Sequence, residues 1–375
     1  MKKTLLLLLM LIIISSSVVY AGEVEFENFI EKGTVLHASE VRASEYEYFR
    51  VQDVLVRIDS GPYKGEEILV QNELSDHQYY DIIVEKGNKV SLMIEEFPDG
   101  EYNVYISDYY RINQLVYLVI AFIFFVIVIG GIKGLKSLIS LGITISAILF
   151  VMLPLMLKGF NPILVSVITA IVVTIVTIVL VSGLNHKSFA AIAGTSTGVI
   201  IAGIIAFYVG NKAYLSGLSA EEASMLMFIP QGIDFNFRHL LFAGIIMGAL
   251  GAAMDVGMSI SSSVSEIHKA NPNLSRRRLF RSGMNVGKDV MGTMVNTLIL
   301  AYTGSSIPML LLFMAYETEL SKVFNLDVVA TEVVRSMAGS IGLILTIPLT
   351  AFVASYLIKE TKGTKIQNEI KEGEI

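Results

Sequence analysis

The feature that most constrains this chain is a series of long apolar segments that begins after Arg111. Seven such segments follow, each close to the ~20 residues that an α-helix needs to cross ~30 Å of hydrocarbon. They lie at residues 115–132, 137–157, 160–182, 189–210, 239–262, 287–315 and 333–358. Apolar residues make up 53% of the chain and charged residues only 17%. The apolar share is higher, and the charged share lower, than in typical soluble globular domains. We therefore expect an α-helical integral membrane bundle of about seven transmembrane helices over residues 115–358.

The chain begins with a pattern typical of a secretory signal peptide. Lys2 and Lys3 precede an apolar run over Leu5–Ile14, and small and polar residues follow as far as Ala21. Because this run is short for a membrane span, we predict a signal peptide over residues 1–21 that is cleaved after Ala21, with an uncleaved anchor as the alternative. The chain has no cysteine, which excludes disulfides, thiolate metal sites and a lipidated N-terminal cysteine.

Residues 22–114 have a different pattern, in which short β-type runs are separated by glycine-, asparagine- and proline-containing turn signals. Val54, Val56 and Ile58 alternate with other residues, as side chains do on a strand with one buried face. The pattern predicts a small all-β extracytoplasmic domain, either an OB-like barrel or a sandwich. Two roles stay open for it: a solvated cap, or a module that binds an envelope protein partner through residues 32–111.

Charge is distributed unevenly along the chain. Residues 22–114 hold 20 acidic and 8 basic residues, whereas the remainder holds 14 acidic and 20 basic residues. With the β domain outside and seven crossings, the connections that face the cytoplasm carry thirteen basic residues. The outer connections carry five: Lys158, Lys212, Arg238, Lys322 and Arg335. This bias predicts a multi-pass protein of the bacterial cell membrane with a cytoplasmic tail over residues 359–375. Nothing in the charge pattern indicates nucleic acid as a partner.

Two motifs resemble enzyme signatures but lack the surroundings that the chemistry needs. Gly194-Thr195-Ser196-Thr197-Gly198 spells G-x-S-x-G, yet it lies in an apolar segment, and the five histidines fall in the β domain, loops or span ends. We interpret Gly194, Gly198 and Ala202 as small residues that let helices pack closely. The segment Gly283–Lys288 has one residue too few for a P-loop and follows no strand. We expect no enzyme, no cofactor and no metal site.

The fifth and sixth apolar segments carry polar residues at helical spacing. The candidate site residues are Asp255, Ser259 and Ser262 on the fifth segment and Asp289, Thr293, Asn296, Gly304 and Pro308 on the sixth. The polar residues recur every three to four positions, so on each helix they share one side. The predicted topology places Asp255 and Asp289 towards the cytoplasmic ends of their segments, where they can be neighbours.

Two interpretations of the acidic residues stay open. A carboxylate at the bilayer centre costs at least ~2.5 kcal/mol, so an acid within a span usually pairs or faces water. In the structural interpretation, Asp289 lies in the first turn of the sixth helix, or forms an ion pair with Lys288 or a nearby arginine. In the functional interpretation, Asp255 and Asp289 belong to a proton or ion path that hydroxyl groups line.

A helix break is predicted at the end of the sixth segment. Pro308 has no backbone N–H and clashes one turn back, so the carbonyl of Gly304 loses its helical partner. Ser305 and Ser306 between them make bending easier. Broken helices form ion or substrate sites in transporters, although kinks at proline are also plain packing features.

Four stretches of the membrane part resemble the YibE/F-like family of bacterial multi-pass membrane proteins. They are GGIKGLKSLISLGIT (Gly130–Thr144), AAIAGTSTGVIIAG (Ala190–Gly203), LLFAGIIMGALGAAMDVGMSISSSVSEI (Leu240–Ile267) and SGMNVGKDVMGTMVNTLILAYTGSSIP (Ser282–Pro308). The β-rich segment before them is also similar. The resemblance implies an integral membrane protein of unestablished activity, of a kind often presumed to transport, and it supplies no substrate and no site residue.

The expected function is transport of an unidentified ion or small solute, coupled to protons or ions through Asp255 and Asp289. The alternative is a non-transporting envelope scaffold whose β domain binds partner proteins. The expected partners are the lipid bilayer, the transported ion or solute and, through residues 32–111, an envelope protein.

Overall fold

The computed structural model describes residues 27–43, 50–75, 81–97, 100–229, 235–317 and 319–358. The predicted signal peptide and the predicted cytoplasmic tail lie outside these described residues. The chain divides into two compact units, with a boundary between Ile129 and Gly130. The strands belong to the unit before this boundary, and most helices belong to the unit after it.

Among the described residues, the strands form one antiparallel sheet. They are β1 (Glu27–Ala38), β2 (Arg42–Ala43), β3 (Arg50–Ile58), β4 (Glu67–Leu74), β5 (Lys89–Glu96) and β6 (Tyr102–Tyr109). The strand order is β2-β3-β1-β5-β6, and β4 pairs with β3. The sheet is a β half-barrel, so the prediction of a small all-β domain is confirmed in this form.

Alternating side chains build the core of the half-barrel. Val54, Val56 and Ile58 on β3 are fully buried, which confirms the alternation seen in the sequence. Burial of this apolar face is the main favourable term for a sheet of this size. One buried polar side chain is fully satisfied: Gln52 donates to the carbonyl of Val84 over 2.8 Å and accepts from its N–H over 3.1 Å. Polar groups that are paired in this way add little cost to the core.

Tyr102 connects β6 to the turn that precedes β4. Its ring stacks on Tyr63 with 4.1 Å between the centroids, and its hydroxyl donates a hydrogen bond to the carboxylate of Glu66. This hydrogen bond to a negative acceptor, together with desolvation, raises the pKa of Tyr102 to about 12. The contact holds together the two edge strands of the half-barrel at one end.

The raised pKa of Tyr102 predicts an absorbance difference between the wild type and Tyr102→Phe. The chain has no tryptophan, so tyrosinate absorbance is free of indole signal. We expect the tyrosinate signal that the wild type shows and Tyr102→Phe lacks to appear with a pKa of about 12, rather than at the ordinary value of 10.0. In Glu66→Gln, which removes the charged acceptor, the same difference titration should move down towards 10.0. A Tyr102 signal that titrates near 10.0 both with Glu66 present and in Glu66→Gln would contradict the raised pKa of Tyr102.

The helices follow the sheet along the chain. They are α1 (Ile112–Ala147), α2 (Leu153–Leu157), α3 (Pro162–Ser182), α4 (His186–Lys212), α5 (Glu221–Met225), α6 (Phe237–Ala270), α7 (Arg276–Ser305), α8 (Ile307–Ala315), α9 (Leu320–Asn325) and α10 (Asp327–Leu357). A π-helical turn, Ile148–Met152, joins α1 to α2, and a 3-10 turn, Leu226–Phe228, follows α5.

Five helical stretches of the described chain are long and apolar enough to cross a membrane, and the bent pair α7 and α8 brings the number to six. The sequence predicted seven. The difference arises because the predicted spans 115–132 and 137–157 both fall in the stretch Ile112–Leu157. Gly131 interrupts that stretch with φ 52° and ψ −134°, a backbone conformation that glycine adopts far more readily than other residues. The interruption lies at the predicted boundary between the first two spans.

The closest helix packing joins α4 to α10. A Cβ added to Gly198 would lie 2.7 Å from the carbonyl oxygen of Gly342, and one added to Gly342 would lie 2.6 Å from the Cβ of Ala202. A Cβ on Gly194 would lie 2.9 Å from the Cα of Thr350. Neither helix can carry a larger residue at these points without moving. The G-x-S-x-G sequence is therefore a helix-packing motif, as its apolar setting predicted.

We expect Gly198→Ala to destabilise the helical unit, because the added methyl group would overlap the backbone of α10. Overpacking of this kind costs about 1–3 kcal/mol. Gly244→Ala is the matched control, because a Cβ at Gly244 meets nothing within 4 Å and alanine is the better helix former. Thermal unfolding of the purified variants in detergent measures the effect. Equal stability of the two variants would contradict the close approach of α4 and α10.

Candidate functional site

Helix α6 has two contrasting faces. On one face, Ile246 and Leu250 are buried in a cluster with residues of α3 and α4, and Ile245 is buried in a cluster that includes α10. The opposite face carries the predicted polar residues, of which Asp255 and Ser259 are exposed and Ser262 is half-buried. The exposed glycines Gly244, Gly248 and Gly251 continue the same side of the helix. The apolar face thus anchors α6 in the bundle and leaves the polar row on the surface of the helical unit.

Helix α7 packs against both α6 and α10 and runs antiparallel to each. The close pairs are Gly283 with Val264, Gly287 with Ile260, Gly248 with Tyr302, and Gly339 with Leu298. Glycine permits these approaches because the helices have no side chain to separate them at those points. The residue numbers on α6 and α10 fall as those on α7 rise, which establishes the antiparallel order.

The register between α6 and α7 brings the two polar rows to the same levels of the bundle. Since Gly287 lies beside Ile260 and Tyr302 beside Gly248, Asp289 is level with Ser259 and Asp255 is level with Thr293, each to within about one helical turn. Asp289, Thr293 and Asn296 are exposed, as Asp255 and Ser259 are. We call the set Asp255, Ser259, Ser262, Asp289, Thr293 and Asn296 the polar surface.

Within the described residues, neither carboxylate of the polar surface has a hydrogen-bond or ion-pair partner. The predicted ion pair of Asp289 with Lys288 or a loop arginine is therefore not formed there. Nor does Asp289 begin its helix, because α7 starts at Arg276, thirteen residues earlier. The helix dipole acts within the first turn, so the structural interpretation of Asp289 as an N-terminal charge is wrong.

The hydroxyl groups of the polar surface have free acceptor capacity. Thr293 donates to the carbonyl of Val290 over 3.0 Å, which leaves its oxygen lone pairs available. Thr297 donates to the carbonyl of Thr293 over 2.9 Å, one turn further along α7. Hydroxyl and carboxylate oxygens together can accept hydrogen bonds from water or from a cation's hydration shell.

The sixth predicted span bends at the predicted position. α7 ends at Ser305, α8 begins at Ile307, and their axes differ by 60°. Ser305 and Ser306 both donate to the carbonyl of Tyr302, at 2.7 and 3.3 Å. Side-chain donors of this kind stabilise the carbonyl groups that a helix end leaves unpaired. Pro308 occupies the first turn of α8, where its missing N–H costs nothing, and Gly304 lies in the last turn of α7.

One polar cluster was missed by sequence reasoning, which treated Arg335 as a residue of an outer connection. Arg335 lies within α10, where its guanidinium donates to the carboxylate of Glu332 over 2.6 Å. Its Cζ is 6.0 Å from the ring centre of Tyr302 on α7. The signal was available in the sequence, because an acid and a base three residues apart in an apolar helix share one side.

No group of three or more His, Cys, Asp or Glu residues suited to a metal ion occurs in the part of the chain that the structure describes. The polar surface has two carboxylates at different levels of the bundle. Two carboxylates are fewer oxygen ligands than a closed Ca²⁺ or Mg²⁺ coordination shell uses.

Comparisons with known proteins extend over nearly the whole described chain. Residues 118–360 match the family described as YibE/F-like protein, and residues 31–109 match the YibE/F family N-terminal domain. No curated protein and no solved structure matches. The matched ranges take in the half-barrel, the bent helix pair and every residue of the polar surface, and on that ground the chain belongs to the YibE/F-like family.

Proposed function

We propose that this protein is a multi-pass transporter of the bacterial cell membrane that moves an ion or small solute along the polar surface. Asp255 and Asp289 handle the proton or cation, and the hydroxyl and amide groups beside them line the route. The observation that carries the proposal is a pair of carboxylates on two neighbouring long helices, which are exposed, lie at nearby levels of the bundle and have no partner in the described chain.

Energetics support a wet rather than a lipid-covered polar surface. An ionised carboxylate costs at least ~2.5 kcal/mol at the bilayer centre, and Asp255, Asp289 and the amide of Asn296 each carry a part of such a cost that depends on depth in the membrane. Lipid chains cannot offset these costs, because they offer no hydrogen-bond donors to a carboxylate. Water or a bound cation offsets them by binding the carboxylate directly. A hydrated face over both carboxylates would form the central part of a route through the membrane.

The direction of insertion follows from charge. Seven crossings with the β half-barrel outside put thirteen basic residues on the cytoplasmic side and five on the outer side. Seven crossings require the chain to cross twice within Ile112–Leu157, which has 46 residues and would measure about 69 Å as one straight helix. That is more than twice the hydrocarbon thickness. Gly131 is the residue at which such a stretch divides.

A second candidate function is a non-transporting envelope scaffold. It is favoured by apolar side chains on the outer face of the half-barrel, where Leu69 is 70% exposed and Tyr105 is 41% exposed. Exposed apolar groups on a sheet are available to a partner protein. Stable copurification of an envelope protein through residues 32–111, together with absence of any ion flux, would support this candidate against transport.

Cysteine labelling tests whether water reaches the polar surface. The chain has no native cysteine, so single substitutions report one position each. We expect Thr293→Cys and Asn296→Cys to react with a membrane-impermeant thiol reagent, because both positions are exposed on the polar surface. Leu298→Cys, whose native side chain is 9% exposed, is the buried control and should stay unlabelled. Equal lack of labelling at all three positions would favour the scaffold.

Neutralising the carboxylates tests the proposed proton or cation path. In proteoliposomes that contain a pH-sensitive dye and are driven by a potassium diffusion potential, we expect Asp255→Asn and Asp289→Asn to reduce proton flux to that of protein-free vesicles. Glu222→Gln is the matched control, because Glu222 lies on the short helix α5 away from the polar surface. Unchanged flux in both aspartate variants would refute the proton role.

A further inference from the structure

Glu332 and Arg335 form a partly buried ion pair in α10. The two side chains are 23% and 30% exposed, and the bond joins Nη1 of Arg335 to Oε1 of Glu332. The second carboxylate oxygen, Oε2, is buried and has no hydrogen-bond partner. The pair is therefore only half satisfied: the arginine occupies one oxygen, and the other is buried without a donor.

The pair lies at the same end of the bundle as the break between α7 and α8. Arg335 packs beside the ring of Tyr302, and the hydroxyl of Tyr302 reaches Gly248 of α6. Tyr302 is six residues beyond Asn296 on α7, a rise of about 9 Å. The cluster of Glu332, Arg335 and Tyr302 thus lies where the polar surface ends, between the helix break and the first exposed amide.

A buried carboxylate oxygen without a donor is costly, and a cation or a cationic donor removes that cost. Arg335 is already neutralised by Glu332, so it attracts anions only weakly. The chemistry of the cluster consequently favours positive charge, as does that of the two carboxylates further along the surface. An anion would meet an unpaired acceptor at the mouth and two more along the route.

We propose that Glu332 is a cation-recognition group at the mouth of the polar surface, and that Arg335 and Tyr302 are positioning residues that hold its carboxylate there. The inference rests on the proposed function in one respect, which is that water reaches the polar surface. It goes further by assigning the ligand class, a small cation, and the residue that selects it.

A purely structural ion pair would behave differently. Removal of either partner from a buried pair leaves the other charge uncompensated and destabilises the fold, so Glu332→Gln and Arg335→Gln would have similar effects. A pair that faces the route predicts opposite effects, because one substitution removes negative charge from the mouth and the other removes positive charge. Opposite signs therefore place the carboxylate of Glu332 where it acts on a cation at the mouth, whereas a pair that only stabilises the fold gives no opposite shift.

The test uses the full chain with one cysteine, Asn296→Cys, in proteoliposomes at low ionic strength. The probes are a cationic reagent, 2-(trimethylammonium)ethyl methanethiosulfonate, and an anionic reagent, 2-sulfonatoethyl methanethiosulfonate. The measured quantity is the ratio of the cationic to the anionic labelling rate. A unit charge roughly 10 Å away in water changes the rate of each univalent reagent about twofold in opposite directions, and therefore the ratio about fourfold.

We expect Glu332→Gln to lower this ratio about fourfold and Arg335→Gln to raise it about fourfold, with the double variant close to the wild type. Glu332→Asp, which keeps the charge, should retain the wild-type ratio, and high salt should shrink all differences. The ratio is normalised within each sample, so partial loss of folded protein does not change it.

The outcomes separate the inference from the proposed function. Labelling of Asn296→Cys with the same ratio in Glu332→Gln, Arg335→Gln and the native background overturns the inference alone. Changes in the same direction for both variants also overturn it and leave a structural ion pair. Absence of labelling by either reagent in the native background refutes the water-accessible surface, and the proposed function fails together with the inference.

Discussion

The helical unit depends on the close approach of α4 and α10. Gly198 and Gly342 bring the two backbones so near that a single methyl group at either position would overlap the other helix. In a bilayer, lipid chains are as apolar as leucine, so helices gain stability from dense packing and backbone proximity rather than from burial of apolar area. The apolar face of α6 and the glycines of α7 then pack onto this pair, since Gly287 contacts Ile347 of α10 as well as Ile260 of α6.

The same packing explains why the polar surface is exposed. The apolar side of α6 packs against α3, α4 and α10, so Asp255 and Ser259 face away from the core. α7 packs through small residues at its beginning, Gly283 and Gly287, which lie on the other side of the helix from the exposed Asp289 and Asn296. Glycine close to the polar residues keeps space open beside them, because a Cβ at Gly251 or Gly292 would meet nothing within 4 Å.

Periodicity predicted which residues share a helix face, but it did not predict what that face contacts. The alternation of Val54, Val56 and Ile58, the positions of the later spans and the break before Pro308 follow from local rules, and the structure has all three. Local rules failed where packing against another part of the chain determines the environment of a residue. Asp289 was placed near a helix start because apolar residues were taken to mark the helix, whereas α7 begins in the basic loop at Arg276. Arg335 was counted as an outer charge because its partners, Glu332 and Tyr302, are identified only by the packing of α10 against α7.

The charges of the polar surface favour a cation over an anion as the ligand of the proposed route. At the end beside the helix break, the arginine is matched by Glu332, so the pair contributes little net charge but keeps one unpaired acceptor. Further along, Asp255 and Asp289 have no described partner, and the polar groups around them can all accept hydrogen bonds. In the proposed route, two carboxylates without a partner lie inward of a nearly neutral ion pair, an order that would lower the energy of a cation as it leaves bulk water. A scaffold needs no such gradient, whereas selective conduction needs acceptors at successive levels that bind a cation without trapping it.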